Sequence, residues 1–344
     1  MAEVDIAETV RGSQSADDEG HPSAGLSGPG PWRRGPVLTA CALLLGLLLL
    51  LHGEVTDWAG LGSLVETFLP WFGLFIPVLV AGALWRRSAS SAVALLLPVT
   101  VWWSLFGGLP GGPTDQAGDL MVVSHNVAVE NPDPAGTARD LAASGADLLA
   151  LQELTDQTKA SYEKELAKTY PHYAEEGTVG LWSKLPLSGT RPVEPPVGKA
   201  QQDGIPVQPL RALRTTVATE EGPLTVYVAH LGSVRVMPRG GFWTESRDAD
   251  ATKLAEAVAA ERSKRVLVLG DFNGTLDDRA FDGLTSQLRS SQDVAGDGFG
   301  FSWPAKFPVA RIDQILVRGV EPTSAWLLPR TGSDHRPVAA RISW

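Results

Sequence analysis

Three apolar runs near the amino terminus constrain this chain more than any other feature: residues 36–52 (PVLTACALLLGLLLLLH), 61–85 (LGSLVETFLPWFGLFIPVLVAGALW) and 91–109 (SAVALLLPVTVWWSLFGGL). A bilayer core about 30 Å thick takes about 20 apolar residues of helix, and the second and third runs meet that length. The first is shorter. With Arg33 and Arg34 in front of it, it also matches the apolar part of a secretion signal. No small-residue cleavage site follows it and two further apolar runs do, so residues 36–110 are read as an anchor of three transmembrane helices. Pro70, Pro77 and Pro98 are better tolerated in such helices than in soluble ones. Glu66 is tolerable near a membrane interface. The plainer alternative is a set of buried core helices in a soluble protein.

Basic residues flank the runs unevenly. Arg33–Arg34 precede the first and Arg86–Arg87 separate the second from the third, whereas the first connector, GEVTDWAG, is acidic. Because positive flanks stay in the cytoplasm, the amino terminus and the second connector are expected there, and everything after residue 110 outside. Cleavage of the first run would leave this unchanged, since Arg86–Arg87 still orient the third. Residues 1–35 are expected to be a disordered cytoplasmic tail, being rich in Gly, Ser, Pro and acidic groups. A Gly/Pro linker follows at 111–118. The expectation is a multi-pass cell-membrane protein with an extracellular domain at 119–344.

That domain reads as α/β. Strand signals are DLMVVSHNV, ADLLALQE, GTVGLWS, LRTTVAT, PLTVYVAHL, RVLVLGDFN, RIDQILVRG and HRPVAARISW; helical signals are AGTARDLAASG, QTKASYEKELAKTY, TESRDADATKLAEAVAAERS and LDDRAFDGLTSQL. The apolar runs are short and buried on both sides, as in sheets covered by helices. Several end in polar groups: His125–Asn126, Gln152–Glu153, His230, and Asp271 with Asn273. Arg311 and Asp313 open one strand, and Asp334–His335 enter the last. Singly, each has a plain reading: Asp271 and Asn273 can cap a turn, and His335 can be a structural histidine. Together, oxygen-rich tips in an acidic domain ask for a hard cation, Mg²⁺ or Mn²⁺, and no Cys/His cluster suits zinc. The lone Cys41 forms no internal disulfide.

In this order, Asn126, Gln152–Glu153, His230, GDFN (270–273), RID (311–313) and SDH (333–335) resemble the endonuclease/exonuclease/phosphatase superfamily, which includes DNase I-like nucleases, sphingomyelinases and inositol-polyphosphate phosphatases. The resemblance covers about residues 119–344. It implies a four-layer α/β sandwich, two mixed β-sheets flanked by helices, with the active site at one edge. Carried over residue by residue, it implies Glu153 as chief metal ligand, Asn126 beside it and Asp334 completing the shell. Asp271 then orients or deprotonates the attacking water, and Asn273 donates to a phosphoryl oxygen. His335, held by Asp313, and His230 donate to the phosphate. The combination of three-span anchor and outer domain is similar to that of actinobacterial membrane-anchored proteins associated with teicoplanin resistance. This second resemblance implies a cell-wall carrier lipid and a link to glycopeptide resistance.

Composition bears on the substrate. Residues 115–344 carry 24 Lys and Arg against 30 Asp and Glu, a net of −6, which suits no polyanion. No stable nucleic-acid complex is expected. A short tether confines the site near the outer leaflet and raises the effective concentration of a lipid-borne phosphate or pyrophosphate. After His230, LGSVRVMPRGGFWTESR mixes Arg235, Arg239 and Arg247 with Val236, Met237, Phe242 and Trp243. Those three arginines are candidates for substrate binding; an ordinary exposed loop is the plain alternative. The expected activity is metal-dependent phosphoester hydrolysis on a lipid-linked substrate, with an outward-facing nuclease as the alternative.

Overall fold

In the computed structural model the described residues are 30–108, 117–194, 200–202, 205–207, 211–238 and 241–344. The expected tail (1–29 of it) and most of the 111–118 linker lie outside them.

The eight strand signals become the inner strands of two six-stranded sheets. One sheet runs β15 (Glu321–Leu327), β16 (Val338–Ser343), β1 (Leu120–Asn126), β2 (Leu148–Gln152), β4 (Val179–Ser183), β3 (His172–Glu176). The other runs β13 (Arg289–Ser290), β14 (Asp313–Arg318), β12 (Val266–Asp271), β9 (Gly222–His230), β8 (Arg211–Thr219), β5 (Leu187–Pro192). Both are mixed, because β1–β2 and β9–β12 pair in parallel and the rest antiparallel. The inner faces meet in one apolar layer, Val122, Leu148, Ala150 and Leu181 against Val226, Val228, Leu267 and Leu269. The outer faces are covered by helices. α6 (Pro134–Ala143) and α7 (Lys159–Leu166) bury Leu141, Tyr162 and Leu166 over one sheet. α8 (Glu245–Ala260) and α9 (Asp282–Thr285) bury Leu254, Val258 and Leu284 over the other. The first turn of α8 carries Glu245 and Asp248, where acidic groups meet the positive end of the helix dipole. A short α10 (Ser291–Ala295) and two ribbons, β6 (Ala200–Gln202)–β7 (Ile205–Val207) and β10 (Arg235–Met237)–β11 (Gly241–Trp243), complete the domain.

The anchor departs from the sequence reading. Its helices are α1 (Pro36–Leu50), α2 (Leu61–Thr67), α3 (Phe75–Arg86), α4 (Ala89–Ala94) and α5 (Leu96–Phe106). The second run is not one helix: α2 stops at Thr67 and a 3₁₀ segment, Leu69–Leu74, leads into α3. Among the described residues two helical stretches are long and apolar enough to cross a membrane, Leu69–Arg86 and Ala89–Phe106. α1 has 15 residues, about 22 Å at a rise of about 1.5 Å each, short of the bilayer core. The expected three spans are therefore corrected to two stretches of spanning length with a shorter apolar helix beside them. These are not core helices: 11 % and 28 % of the two windows is buried, and Leu74, Val78, Leu84, Trp85, Leu96 and Trp103 face outward.

The start of α1 lies beside the start of α4. Thr39 Oγ1 is 3.0 Å from the hydroxyls of both Ser90 and Ser91, and Ser88 donates to the Arg34 carbonyl. The opposite end of the anchor is seated on the catalytic domain. Trp71 Nε1 donates to the Val309 carbonyl at 2.8 Å and its ring stacks on Phe301, while Phe106 packs on Phe299. Gly60, at φ 73, passes so close to the Phe242 carbonyl that a Cβ would lie 1.6 Å from it; no side chain fits there.

Candidate active site

Register brings the polar strand tips to one edge of both sheets. Asn126 is level with Gln152 across β1–β2, so Glu153 projects just beyond. In the other sheet Asp271 is level with both His230 and Asp313, and Arg211 with His230. Asn126 bridges the sheets, its Nδ2 donating to Asp271 Oδ2 at 2.8 Å. The backbone N–H of Asn273 donates to Asp271 Oδ1 at 2.9 Å, and Asn273 Nδ2 to the Leu231 carbonyl at 3.0 Å. His335 Nδ1 is 2.9 Å from Asp313 Oδ2, and its Nε2 is 3.9 Å from Asp271 Oδ2. Glu153 and Asn273, neither a glycine, hold left-handed backbones at φ 64 and 51. Such conformations cost about 1–3 kcal/mol each and gather where function over-determines them.

Burial sets the charges. Asp271 is 1 % exposed; burial lifts its pKa to about 6 against the pull of the His335 charge, and Asp313 raises it further. For His335 burial works downward, but Asp313 and Asp271 outweigh it and hold the imidazole protonated up to about 10. His230 goes the other way: burial, Arg211 and His335 push it well below its ordinary value, so it is neutral. Both its ring nitrogens are buried without a hydrogen-bond partner, although Nε2 is 3.7 Å from Glu153 Oε1 and from Asp271 Oδ2. A buried imidazole without a partner, facing two carboxylates, calls for a functional explanation. Asp271, Asp313 and His335 also bring ligand atoms within 4.8 Å of one another, a grouping able to hold a metal ion.

Residues 123–335 match the family model described as "Endonuclease/Exonuclease/phosphatase family". The chain belongs to the endonuclease/exonuclease/phosphatase family. Its members are phosphoesterases and nucleases, typically dependent on a divalent metal, and this chain is a phosphoric ester hydrolase of that class. Solved structures agree on the fold. A family protein from Bacteroides thetaiotaomicron superposes with a TM-score of 0.51 at 16 % identity, covering 65 % of this chain and 97 % of that one. The mannosyl-6-phosphatase Bt3783 of the same organism gives 0.50 at 16 %, covering 66 % and 100 %. D. rerio TDP2 complexed with single-strand DNA product gives 0.50 at 18 %, covering 65 % and 98 %. No curated protein matches the chain by sequence. The family match covers residues 123–335 and does not reach the anchor, so it does not bear on the expected likeness to teicoplanin-resistance proteins.

Within this family domain the expected residues divide into three groups. Asn126, Glu153, His230, Asp271, Asn273, Asp313 and His335 stand around one centre. Asp334 stands at its rim: it is exposed, its Oδ2 is 3.3 Å from Trp303 Nε1, and it lies outside the 4.8 Å grouping. Of the three arginines read as substrate-binding, the two among the described residues do not gather there. Arg247 is fully buried, its Nη2 2.7 Å from both Asp278 and Asp248, which leaves no surface for a substrate. Arg235 lies over the Trp243 ring at 5.7 Å, on a ribbon packed against the anchor connector. Arg239 lies outside the described residues. The cation that does reach the centre is Arg211, which the sequence reading passed over. Its Nη2 donates to Leu231 O at 2.8 Å, its Nε is buried without a partner, and Asp271 and Glu153 both act on its charge. Its signal was positional: a cation opening a strand that pairs with the His230 strand. His125, by contrast, is a structural histidine, fully buried with Nε2 2.9 Å from Thr331 Oγ1 and held down to about 3 by burial and the His335 charge.

Proposed function

We propose that this chain is a membrane-tethered, divalent-metal-dependent phosphoesterase that hydrolyses the phosphoester or pyrophosphate of a lipid-linked substrate outside the cytoplasmic membrane. The observation that carries the reading is the meeting of Glu153, Asp271, neutral His230, Arg211 and the Asp313–His335 pair at one sheet edge of a domain seated on two apolar helices. Glu153 offers its Oε1 while Oε2 accepts from Val129 N at 2.9 Å. With Asp271 and Asn126 it is the set that best suits Mg²⁺ or Mn²⁺. His335 is a poorer ligand, because protonation up to about 10 leaves Nε2 no lone pair. When bound, the cation neutralises phosphoryl charge and favours attack by water.

The chain's own groups supply the rest. Asp271, ionised at neutral pH and fixed by Asn126 and Asn273, orients the attacking water and takes its proton. His335, held protonated and oriented by Asp313, donates from Nε2 to the phosphate, as neutral His230 does beside it. Arg211 adds a fixed positive charge, and the free amide hydrogen of Asn273 meets a phosphoryl oxygen.

Three observations support the membrane and lipid parts. The two long helical stretches pack on α1 and still expose large apolar side chains, among them Leu74, Val78, Leu84, Trp85, Leu96 and Trp103. Arg34 and Arg86–Arg87 lie at the end of the anchor away from the domain, matching a cytoplasmic face there. A cavity of about 400 Å³ opens between the anchor and the catalytic domain, lined by the apolar Pro70, Phe106, Phe299 and Phe301 and by Asp277, Asp293 and Arg311. Its mixed lining has room for the polar end of a lipid-linked substrate next to the start of its chain.

Full-length protein in vesicles, offered prenyl phosphates, phospholipids, inositol phosphates and DNA with Mg²⁺ and with chelator, tests the reading. Release of phosphate from a lipid, abolished by chelator, is the expected result. Rapid DNA cleavage with no lipid turnover would make the chain a nuclease instead.

A further inference from the structure

Glu66 sits in an apolar run, is fully buried, and does not face solvent or lipid. Its carboxylate is held by one residue of the catalytic domain: Arg279 donates from Nη2 and Nε to Oε1 at 2.8 and 3.1 Å, and from its backbone N–H to Oε2 at 3.3 Å. Arg279 Nη2 also donates to the His52 carbonyl at 3.2 Å, and Thr275 Oγ1 to the Glu66 carbonyl at 3.4 Å. One turn earlier on α2, Ser63 Oγ accepts from Arg247 Nη2 at 3.0 Å, and Arg247 in turn pairs with Asp278. The connector between α1 and the Leu69–Arg86 stretch, here including α2, thus plugs two polar side chains into two catalytic-domain arginines.

Those arginines frame the turn that leaves β12. Arg247 lies against Gly274, where an added Cβ would be 2.9 Å from its Nη1, and its guanidinium lies over the Phe281 ring at 5.4 Å. Phe281 stacks on Phe272, between Asp271 and Asn273. Asp278 caps the turn that begins at Arg279, accepting from Ala280 N at 3.0 Å. Asn273 holds its left-handed backbone inside this frame.

We propose that the connector is a positioning element of the active site: docking of Glu66 on Arg279, and of Ser63 on Arg247, sets the 271–281 turn and with it Asp271 and Asn273. The proposal rests on the phosphoesterase reading of that turn but not on a lipid substrate. The anchor then contributes to turnover of a soluble phosphoester, for which tethering to a membrane brings no advantage. Glu66, Arg279 and Arg247 are positioning residues, since none touches the reacting atoms.

The test uses full-length protein in detergent micelles, Mg²⁺, and bis(p-nitrophenyl) phosphate with p-nitrophenyl phosphate as soluble probes. Glu66→Gln and Arg279→Gln should each lower kcat by about tenfold or more, as small misplacements of reacting groups do, with KM unchanged within about twofold. The double variant should lose no more than either single, because both break one contact. Glu66→Asp should recover part of the rate. Amide exchange should quicken in 272–281 and not in β1 or β2, a local pattern that general destabilisation would not give. Wild-type kcat in both single variants, or losses that multiply in the double, would overturn the proposal. Exchange quickened across the whole domain would overturn it too. No turnover of either probe by the wild type would count against the phosphoesterase reading, and the exchange pattern would still decide the interlock.

Discussion

Residues 61–67 and 69–86 belong to one apolar run in the sequence and to two different environments in the structure. The first part, α2, buries Ser63, Glu66 and Thr67 against a folded domain and satisfies the carboxylate with an arginine. The second exposes its large side chains, Trp85 at 88 %. Hydropathy counts apolar residues but does not say which way they face. An apolar surface turned outward needs lipid or detergent; a buried carboxylate needs a partner. The boundary at residue 68 is where one requirement replaces the other.

The largest effect should come from breaking the buried side of this comparison. Arg279→Ala strands the fully buried Glu66 carboxylate, and leaving one charge of such a pair buried without its partner costs about 3–5 kcal/mol. Chemical denaturation in micelles should show it as a fall in stability. A change below about 1 kcal/mol would mean that the connector is only loosely attached.

The outward side breaks differently. Val78→Arg puts a charge near the middle of Leu69–Arg86, where insertion of a central arginine costs about 2.5–3.5 kcal/mol. Carbonate extraction of membranes should find the variant partly released. Retention equal to wild type would argue that this face meets protein rather than lipid.

The catalytic edge responds to pH. Asp271 must be ionised and its pKa stands at about 6, so the rate should fall about tenfold per unit below that. His335 must be protonated, which sets a second fall above about 10. Raising Mg²⁺ should move the acid limb to lower pH, because a cation beside Asp271 favours its charged form. An acid limb insensitive to metal would separate Asp271 from the ion. The smallest effect belongs to the control pair: Arg289–Glu321, at 2.8 Å but half exposed, should contribute at most about 1 kcal/mol when Arg289→Ala breaks it.

What the sequence revealed follows the same rule. Most of the eight inner strands are covered on both faces and read as apolar runs; β8, RALRTTVAT, alternates instead. Within the two large sheets, the four strands with neither signal are the four edges. β3, β5 and β13 carry HYAEE, LSGTRP and RS, and β15 opens on EPTS, because a half-exposed strand has no continuous apolar signal. The site residues were legible because each interrupts an apolar run at its end. Arg247 misled for the opposite reason. It lies in a segment of mixed charge near His230, and only the fold reveals that Asp278 and Ser63 enclose it. Glu66 looked like a tolerated defect in a span, since the partner that explains it is 213 residues away.

The central claim is a metal-dependent phosphoesterase acting on a membrane-borne phosphate from outside. The most direct measurement is phosphate release from a prenyl phosphate in sealed vesicles carrying full-length protein, wild type against Glu153→Ala, with Mg²⁺ and with chelator. The account expects release by the wild type with Mg²⁺ only. It also expects a loss of at least about a thousandfold in the variant, roughly 4 kcal/mol of transition-state stabilisation, with the fold intact by near-ultraviolet circular dichroism. Equal release by wild type and Glu153→Ala, or release that persists in chelator, would contradict it.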